Sequence, residues 1–587
     1  MKKTHQAPSI TAFSPDTFKA NFPIFSKKTN RDLIYFDNAA TTQTPKCVIR
    51  AISHFYENNN ANAHRASHRL GRAATDIHED VRQLLAQTIN ADGQDIIFCK
   101  GATEGLNLIA YSLEHVCQAG DIILLSHAEH HANLVPWQAL AKRQNMQIQF
   151  VPDILKDGRP TGIPDIAAVP GLLCEKTKIV ALTLASNVLG IRLPLESVAK
   201  QIKQGSRYFV VDAAQAFAHQ SLDCQALGCD FLVASAHKRY GPFGVGFVYG
   251  KTELLNTLPP WQFGGEMVQQ VFSHTASYAK APQRFEAGTS ALADIAGFGA
   301  SLRFLQQQDQ VAMAAHEQSL IRSLYEALGL IPELRLFGQV EHNLGICTFS
   351  LNDNKHNNTS PFDLAHWLDE HNIAVRAGQH CAQPLYQQLH SQYGVRISVA
   401  AYNTQEDCQR TVQAILDWFE LNSKTKPSFT TQKNTQLQPK QQNTHQPLTE
   451  QHLNLIAQIN ASQSWRARYQ LIFKLGKLMP TLELLRQDHY QVDGCETRTW
   501  VGHSQQGDQH LFQIDSDSAL IKGLGALLLS WFSNKTQADI VDTNWHDKAA
   551  DIGLTAYLSQ SRQNGFNAIA QAMLAYVDTA LKARLKP

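Results

Sequence analysis

The chain has 587 residues, of which 43% are hydrophobic and 18% are charged, and its formal net charge is +1. This composition is ordinary for a globular protein, and so small a charge provides no net positive field to hold nucleic acid or an anionic membrane. We therefore expect no nucleic-acid partner and no membrane partner.

The N-terminus and the cysteines indicate where the protein works. The segment MKKTHQAPSITAFSPD has two lysines but no apolar run behind them, so it does not read as a secretory signal. The ten cysteines are scattered and form no CxxC pair. This argues against a disulfide framework and against a zinc ribbon. The sequence predicts a cytoplasmic protein without a metal site.

The full length of the chain suggests about three to five structural units, and apolar strand-like runs alternate with helical patterns over roughly the first 420 residues. The runs are continuous, as in strands covered on both faces of a mostly parallel α/β sheet. In chain order, they are DIILLS, KIVALTLAS, RYFVVDAA and DFLVASA. Ligands of such sheets bind at the carboxyl ends of the strands. We therefore expect one site to collect the polar residues at the ends of these runs, namely His130, Asn187, Asp212, Gln215, His237 and Lys238.

A helical pattern begins in CKGATEGLNLIAYSL, before the first of these runs. Glycine and threonine precede its apolar face, and the free N–H groups of a helix N-terminus bind phosphate readily. An ordinary capped helix has the same pattern. Ser235 and His237 could add hydrogen-bond donors to such a phosphate site.

Lys238 closes the run FLVASAHK and is followed by several glycines. A lysine at a strand end is usually a solvated surface charge. A lysine that forms a Schiff base instead needs apolar walls that lower its pKa. Pyridoxal phosphate (PLP) requires such a lysine and an acid for its pyridinium nitrogen. Asp212 could be that acid, although it could equally be the N-cap of a helix.

Two residues near the end of this body, Cys381 and Arg396, could act on a substrate. Cys381 lies in AVRAGQHCAQPL, whose polar residues and glycine favour an accessible thiol over the buried thiol usual for a free cysteine. Arg396 lies in the strand-like YGVRISVAAYN. Its guanidinium could grip a carboxylate through two parallel hydrogen bonds, or it could pair with a structural acid.

Composition changes sharply near Ser423. The stretch SKTKPSFTTQKNTQLQPKQQNTHQ has almost no apolar residue. It cannot bury enough surface to offset its chain entropy. We predict a disordered linker over residues 423–446, between a body of residues 1–422 and a C-terminal unit of residues 447–587.

The motifs of the body resemble the fold-type I, PLP-dependent cysteine desulfurases of the SufS/CsdA group. The likeness runs from YFDNAATTQTP to VAAYNT and includes NANAHRASHRLG, EHHANLVPW, SNVLG, VDAAQA, SAHKRYGPFGVGFVYG and RFEAGTSALA. It implies a large domain with a mostly parallel sheet at about 30–295, and a small α/β domain formed by the N-terminal arm and about 296–422. It also implies a homodimer that converts L-cysteine to L-alanine.

The resemblance also implies roles for the matching residues. For the cofactor, they are Lys238 for the covalent bond, His130 for stacking on the ring, Asp212 for the ring nitrogen and Gln215 for the ring hydroxyl. For the phosphate, they are Thr103, Ser235, His237 and, from the neighbouring protomer, Thr289. For the substrate carboxylate, they are Arg396 and Asn187. Cys381 is implied as the nucleophile that takes the sulfur as a persulfide, and Arg65 lies in a matching segment near the site.

The C-terminal unit resembles the SufE/CsdE sulfur-acceptor family, a small α+β fold. The likeness rests on YQVDGCETRTWVG, DSDSALIKGLGALLLSW and LSQSRQNGFNAI. A lone loop cysteine is more often incidental, but the resemblance implies that Cys495, after an Asp-Gly turn, accepts the sulfur of Cys381. A downstream scaffold would then use it for iron–sulfur cluster assembly or another sulfur transfer. The alternative is a selenocysteine lyase or other PLP-dependent lyase whose C-terminal unit only docks partners.

Overall fold

The computed structural model describes residues 12–64, 67–352, 360–424, 446–462, 464–495, 497–554, 558 and 560–577. Arg65 and residues 425–445 of the predicted linker lie outside the described residues. The chain divides into two compact units, one of residues 1–352 and 367–419, the other of residues 353–366 and 420–587. Within the described ranges, no helix has both the length and the apolarity of a membrane span.

The described residues before position 425 form strands β1 to β17. They are β1 (Ile34–Tyr35), β2 (Ile96–Cys99), β3 (Ile122–Ser126), β4 (Gln147–Val151), β5 (Asp153–Lys156), β6 (Arg159–Pro164), β7 (Thr177–Thr183), β8 (Tyr208–Asp212), β9 (Phe231–Ser235), β10 (Gly246–Gly250), β11 (Val268–Val271), β12 (Ala276–Tyr278), β13 (Leu334–Phe337), β14 (Ile346–Leu351), β15 (Ile373–Ala374), β16 (Arg376–Gly378) and β17 (Gly394–Ser398). The four predicted runs are β3, β7, β8 and β9.

The helices of this part of the chain fill the connections between the strands. They are α1 (Pro15–Lys19), α2 (Pro23–Ser26), α3 (Lys46–Asn58), α4 (Arg69–Thr88), α5 (Ala102–Leu113), α6 (Val135–Gln144), α7 (Val169–Leu172), α8 (Ala199–Ile202), α9 (Ala216–His219), α10 (Cys224–Leu227), α11 (Thr252–Leu255), α12 (Leu292–Gln306), α13 (Gln310–Gly329), α14 (Pro361–Glu370), α15 (Gln383–Gln388) and α16 (Gln405–Lys424). Short 3-10 turns include His131–Asn133, Ala236–Lys238 and Gln283–Phe285.

The main sheet has seven strands in the order β2-β10-β9-β8-β7-β3-β4. The five strands from β9 to β4 are parallel to one another, and β10 runs antiparallel to its neighbours β9 and β2. The predicted mostly parallel sheet is therefore confirmed. A second sheet, β13-β14-β17-β16, is antiparallel and carries Arg396 on β17.

Both faces of the main sheet are buried, which explains why its strands read as continuous apolar runs. Successive residues of β3 alternate between two apolar clusters: Leu124 belongs to one, while Ile123 and Leu125 belong to the other. This alternation follows from the two-residue period of a strand. A sheet covered on both faces leaves only its strand ends open for a polar site.

The second unit is α+β, as the sequence predicts. Its strands β18 (Thr499–Gln506), β19 (Gln509–Ser516) and β20 (Lys535–Thr536) form an antiparallel sheet. Its helices are α17 (Glu450–Ala461), α18 (Trp465–Leu478), α19 (Ala519–Phe532), α20 (Gln537–Val541), α21 (Trp545–Asp551) and α22 (Gln560–Val577).

Helices α18 and α19 touch backbone to backbone, and glycines make this possible. A Cβ atom on Gly476 would lie 1.6 Å from the carbonyl oxygen of Ala519, and one on Gly523 would lie 2.0 Å from that of Ile472. The repeated glycines of the apolar helix α19 are thus a packing requirement of this core.

Candidate active site

The ends of β7, β8 and β9 meet at one edge of the main sheet. Thr183, the last residue of β7, is in register with Asp212, the last residue of β8. Ser235 ends β9, and Lys238 comes directly after it in the turn Ala236–Lys238. Because parallel strands present their carboxyl ends on the same side, the sheet brings these side chains together as predicted.

Lys238 lies among groups that favour its neutral form. Burial lowers its pKa from 10.5 to about 8, Asp212 opposes this shift, and Arg396 adds to it. Asp212 is itself buried, which raises its pKa, while the backbone N–H of Ala214 stabilises its carboxylate at 2.9 Å. A buried amine that gives up its proton readily is what a Schiff-base lysine needs.

Three buried polar atoms in this region have no hydrogen-bond partner among the described residues. They are Asn187 Oδ1, Gln215 Oε1 and His237 Nδ1. Buried polar atoms are normally paired, so such a group points to an absent ligand. A polar ligand that also binds a lysine and an acid has the chemistry of PLP, and the residues present fit it.

The predicted phosphate cradle lies where α5 begins. The backbone N–H of Ala102 donates to Ser235 Oγ at 2.8 Å, so the start of α5 is tied to the end of β9. Thr103, the next residue of the helix, is exposed. Thr289 is also exposed, on the loop between the turn Gln283–Phe285 and α12.

His130 is uncharged in this site. Burial and the nearby Lys238 lower its pKa to about 3. Its Nδ1 accepts a hydrogen bond from the N–H of Ala132 at 3.0 Å, which fixes the ring orientation. A neutral, fixed imidazole is suited to stacking on an aromatic cofactor.

Cys381 is exposed in the turn between β16 and α15. Both His380 and Cys381 have left-handed backbones, with φ of 53° and 55°. Such a conformation costs on the order of 1–3 kcal/mol for each non-glycine residue and persists only where its surroundings hold it. The carbonyl of Cys381 accepts a 2.8 Å hydrogen bond from the N–H of His131. The turn that carries Cys381 is therefore tied to the segment that carries His130.

Arg396 is paired with an acid, which is one of the two alternatives considered for it; its binding of a substrate carboxylate stays a prediction. Its side chain is buried; one nitrogen donates to the carbonyl of Asn187 at 2.9 Å and another to Asp37 Oδ1 at 3.1 Å. Its Nε has no partner among the described residues. Asp37 also pairs with Arg376 at 3.0 Å. An acid thus holds Arg396 in place, and of the five N–H donors of a guanidinium these two contacts leave three, Nε among them, for a ligand.

Cys495 lies in the second unit, after the predicted turn, where Gly494 has a φ of 88°. Its side chain is half-buried against the apolar core, and its Sγ donates to the carbonyl of Gly565 at 3.5 Å. Burial raises the pKa of this thiol to about 11. In this conformation, Cys495 is a protonated, partly shielded thiol.

Comparison with known proteins decides the family of the first unit. The class-V aminotransferase profile matches residues 34–411. A probable cysteine desulfurase of Pseudomonas putida is 42% identical over 410 residues, which cover 70% of this chain and 99% of that protein. This chain belongs to the cysteine desulfurase family of class-V aminotransferases.

Further comparisons agree with this family. A cysteine desulfurase of Serratia proteamaculans is 40% identical over 69% of this chain and 98% of its own length. The crystal structure of the Escherichia coli cysteine desulfurase CsdA superposes with a TM-score of 0.64 at 34% identity, over 70% of this chain and all of that one. The predicted fold type, enzyme class and PLP dependence of this desulfurase family member are confirmed.

The second unit belongs to a different family. The SufE profile, described as an Fe-S metabolism associated domain, matches residues 453–577. The predicted combination of a desulfurase body with a SufE domain in one chain is therefore confirmed. Cys495 lies within the matched range.

Two residues of the desulfurase site were missed from the sequence. Asp37 holds Arg396, and its signal was its place in the motif YFDNAATTQTP. Glu129 is fully buried; it accepts from Ser126 Oγ at 2.6 Å and from Asn133 Nδ2 at 2.6 Å, and burial raises its pKa to about 8. Its only signal is the polar cluster EHH itself.

One side-chain cluster in the described part of the chain has metal-ligand chemistry, although the sequence predicts no metal. It consists of His64, His78 and Glu79. Both oxygens of Glu79 are already engaged, one with His78 Nδ1 at 2.9 Å and one with Arg82 Nε at 3.1 Å. Within the cluster, His78 and Glu79 thus belong to an ion-pair network with Arg82.

Proposed function

We propose that this desulfurase converts L-cysteine to L-alanine, holds the sulfur as a persulfide on Cys381 and passes it to Cys495. The observation that carries this proposal is that the exposed Cys381 lies on a turn hydrogen-bonded to the segment that follows β3, beside the half-buried Lys238 at the end of β9. The N–H of His131 donates to the Cys381 carbonyl at 2.8 Å, and Lys238 lies close enough to the neighbouring His130 to lower its pKa. Lysine chemistry and thiol chemistry can therefore act on one small substrate.

Arg396 and Asn187 would bind the carboxylate of cysteine. The buried guanidinium has an unpartnered Nε, and a carboxylate is the anion that best matches its planar donors. Asp37 fixes the guanidinium through a hydrogen bond to another of its nitrogens. Binding the carboxylate here orients the α-carbon toward the end of β9, where Lys238 lies.

Lys238, Asp212, Gln215 and His130 would hold PLP, with Thr103, Ser235 and His237 at its phosphate. When bound, PLP withdraws electrons from the α-carbon of an amino acid and so labilises its α-proton and its Cβ–S bond. Lys238, whose pKa burial lowers to about 8, would take the α-proton at Nζ. Buried Asp212 provides the negative charge that a pyridinium nitrogen requires.

In the sulfur step, the Cys381 thiolate reacts directly with the sulfur of the substrate. The Cys381 sulfur attacks the sulfur of cysteine, an S–S bond forms and the Cβ–S bond breaks. The electron pair of the broken bond stays on the carbon fragment, which takes up one proton at Cβ, regains the α-proton from Lys238 and leaves as alanine. The left-handed turn that exposes Cys381 keeps the thiol accessible for this attack.

The relay step is an exchange between two thiols. The Cys495 thiolate attacks the outer sulfur of the Cys381 persulfide, which frees the Cys381 thiolate and leaves the persulfide on Cys495. The presence of the SufE domain in the same chain supports this step, because a tethered acceptor is present at high effective concentration. We further propose that a downstream scaffold discharges Cys495 for iron–sulfur cluster assembly or another sulfur transfer.

The setting of the reaction is inferred from the cysteines and from Thr289. All ten cysteines are free thiols, which supports a reducing, cytoplasmic location.

The exposed Thr289 supports a homodimer in which each protomer completes the phosphate site of the other. Sedimentation of the holoenzyme tests this, because a monomer that binds PLP fully would contradict a shared site.

Alanine release tests the proposed reaction against a selenocysteine lyase. We expect the wild-type holoenzyme to release alanine from L-cysteine and Cys381→Ala to lose this activity. A selenocysteine lyase would retain alanine release from L-selenocysteine as its principal activity in both forms. The matched control is Cys174→Ala, which removes an exposed thiol elsewhere on the body. Wild-type holoenzyme that forms no alanine from cysteine would refute the proposal.

A further inference from the structure

A buried histidine stands directly before the nucleophile, and the proposed reaction gives it no role. His380 is 7% exposed, whereas its neighbour Cys381 is exposed to solvent. Both residues have the left-handed backbone that non-glycine residues adopt only under constraint. The constraint must therefore come from contacts that His380 and the turn make.

The His380 ring is fixed through both of its nitrogens. Nε2 lies 3.3 Å from the carbonyl oxygen of Arg376, which can only accept, so Nε2 carries the proton. Nδ1 lies 2.7 Å from the hydroxyl of Tyr386, which therefore donates to it in the neutral ring. Burial and the nearby Arg396 hold the pKa of His380 well below its usual range, which keeps the ring neutral.

The partner tyrosine is itself firmly placed. Tyr386 is fully buried on α15, and its hydroxyl fits into space left by a glycine of β17. A Cβ atom at Gly394 would lie 2.6 Å from that hydroxyl. The ring of His380 thus connects the first residue of β16 to α15 across the base of the turn that carries Cys381.

The backbone of the turn is tied from outside as well. Asn187 Nδ2 donates to the carbonyl of His380 at 2.7 Å, and the N–H of Ala382 donates to the carbonyl of Gln379 at 2.9 Å. These bonds set the path of the chain. The two hydrogen bonds of the His380 ring hold its side chain at the centre of the turn, and so they should make this part of the backbone rigid.

We propose that His380 is a positioning residue, which with the Tyr386 hydroxyl locks the turn so that the Cys381 thiol is presented to the substrate. This inference rests on the proposed function, since it concerns the residue that would attack the substrate sulfur. A histidine present only to fill space would tolerate loss of the Tyr386 hydroxyl. A lock would not.

Two variants and one control test the lock. Tyr386→Phe removes the hydroxyl and keeps the aromatic ring. His380→Gly keeps the left-handed backbone accessible without strain and removes the ring. Tyr325→Phe is the matched control, because it removes another tyrosine hydroxyl, one that donates to the carbonyl of Phe337 at 2.6 Å on a different part of the body.

Each variant is measured as full-length, PLP-loaded protein. Hydrogen–deuterium exchange of the peptide spanning residues 376–386 reports the rigidity of the turn, and alanine formation gives kcat and KM. We expect Tyr386→Phe and His380→Gly to speed exchange in this peptide and to lower kcat by about tenfold, with KM for L-cysteine within about twofold. Tyr325→Phe should change neither quantity.

The outcomes separate the two proposals. Wild-type exchange and wild-type kcat in both turn variants would overturn the lock while leaving the proposed reaction intact. Faster exchange with unchanged kcat would also overturn the proposal, because a less rigid turn would then catalyse the reaction equally well. A wild-type holoenzyme that makes no alanine would instead refute the reaction, and exchange would still report on the contact itself.

Discussion

Lys238 should titrate far below an ordinary lysine when the cofactor is removed. Burial lowers its pKa from 10.5 to about 8. That difference corresponds to roughly 3 kcal/mol in favour of the neutral amine. At about pH 7.5, roughly a quarter of the Lys238 amines should be neutral, against about 0.1% for a lysine of ordinary pKa. Because the neutral amine is the reactive form, reactivity should rise with pH to a half-maximum near the folded pKa and then level off.

Competitive acetylation of the cofactor-free protein measures this titration. The rate for the peptide that carries Lys238 is followed by mass spectrometry as a function of pH. The same peptide in urea-unfolded protein is the control, and its midpoint should return to the ordinary value of 10.5. Asp212→Asn should lower the folded midpoint further, because the Asp212 charge raises the pKa of Lys238. A folded midpoint equal to the unfolded one would refute the reasoning.

Three further predictions concern substrate binding, the second core and the acceptor thiol. Arg396→Lys should raise the KM for L-cysteine by about tenfold or more, because lysine cannot donate two parallel hydrogen bonds to a carboxylate; an unchanged KM in alanine-release assays would contradict the clamp. Gly476→Ala should destabilise the SufE domain by about 2 kcal/mol or more in urea unfolding, since its Cβ would lie 1.6 Å from the carbonyl of Ala519; wild-type stability would disprove the close contact. Cys495, whose pKa burial raises from 9.0 to about 11, should be alkylated by iodoacetamide about 100-fold more slowly at neutral pH than in the unfolded chain. Equal rates in the two states would mean that its thiol is already open.

The strand ends could be predicted from sequence because a simple rule governs them. Continuous apolar runs mark strands buried on both faces, and parallel strands bring the residues at their carboxyl ends to one edge of the sheet. Asp212, Ser235 and Lys238 lie at the edge where this rule puts them. The turn before Cys495 could also be predicted from the sequence, since the dipeptide Asp-Gly strongly prefers turn conformations.

Contacts between distant parts of the chain could not be predicted from such local patterns. Asp37 binds Arg396 across 359 positions of sequence, and neither local pattern indicates the other. The left-handed pair at His380 and Cys381 is set by tertiary contacts that override the preference of both residue types. In the sequence, Glu129 is one polar residue among several, and only its complete burial in the structure distinguishes it as part of the site.

The helix α16 shows the limit of composition as a guide to boundaries. It ends at Lys424, two residues inside the linker predicted for residues 423–446. Polar composition predicts where a chain can no longer build a core, but a helix already packed along one face can continue past that point.

The most direct test of the relay is to follow the sulfur itself. Holoenzyme is pulsed with limiting L-cysteine, quenched at intervals and analysed by mass spectrometry for persulfide on the peptides that carry Cys381 and Cys495. Persulfide is expected on Cys381 first and on Cys495 later, and Cys381→Ala should abolish both. Persulfide on Cys495 at the wild-type rate in Cys381→Ala, or its complete absence from Cys495 while Cys381 turns over, would contradict the account.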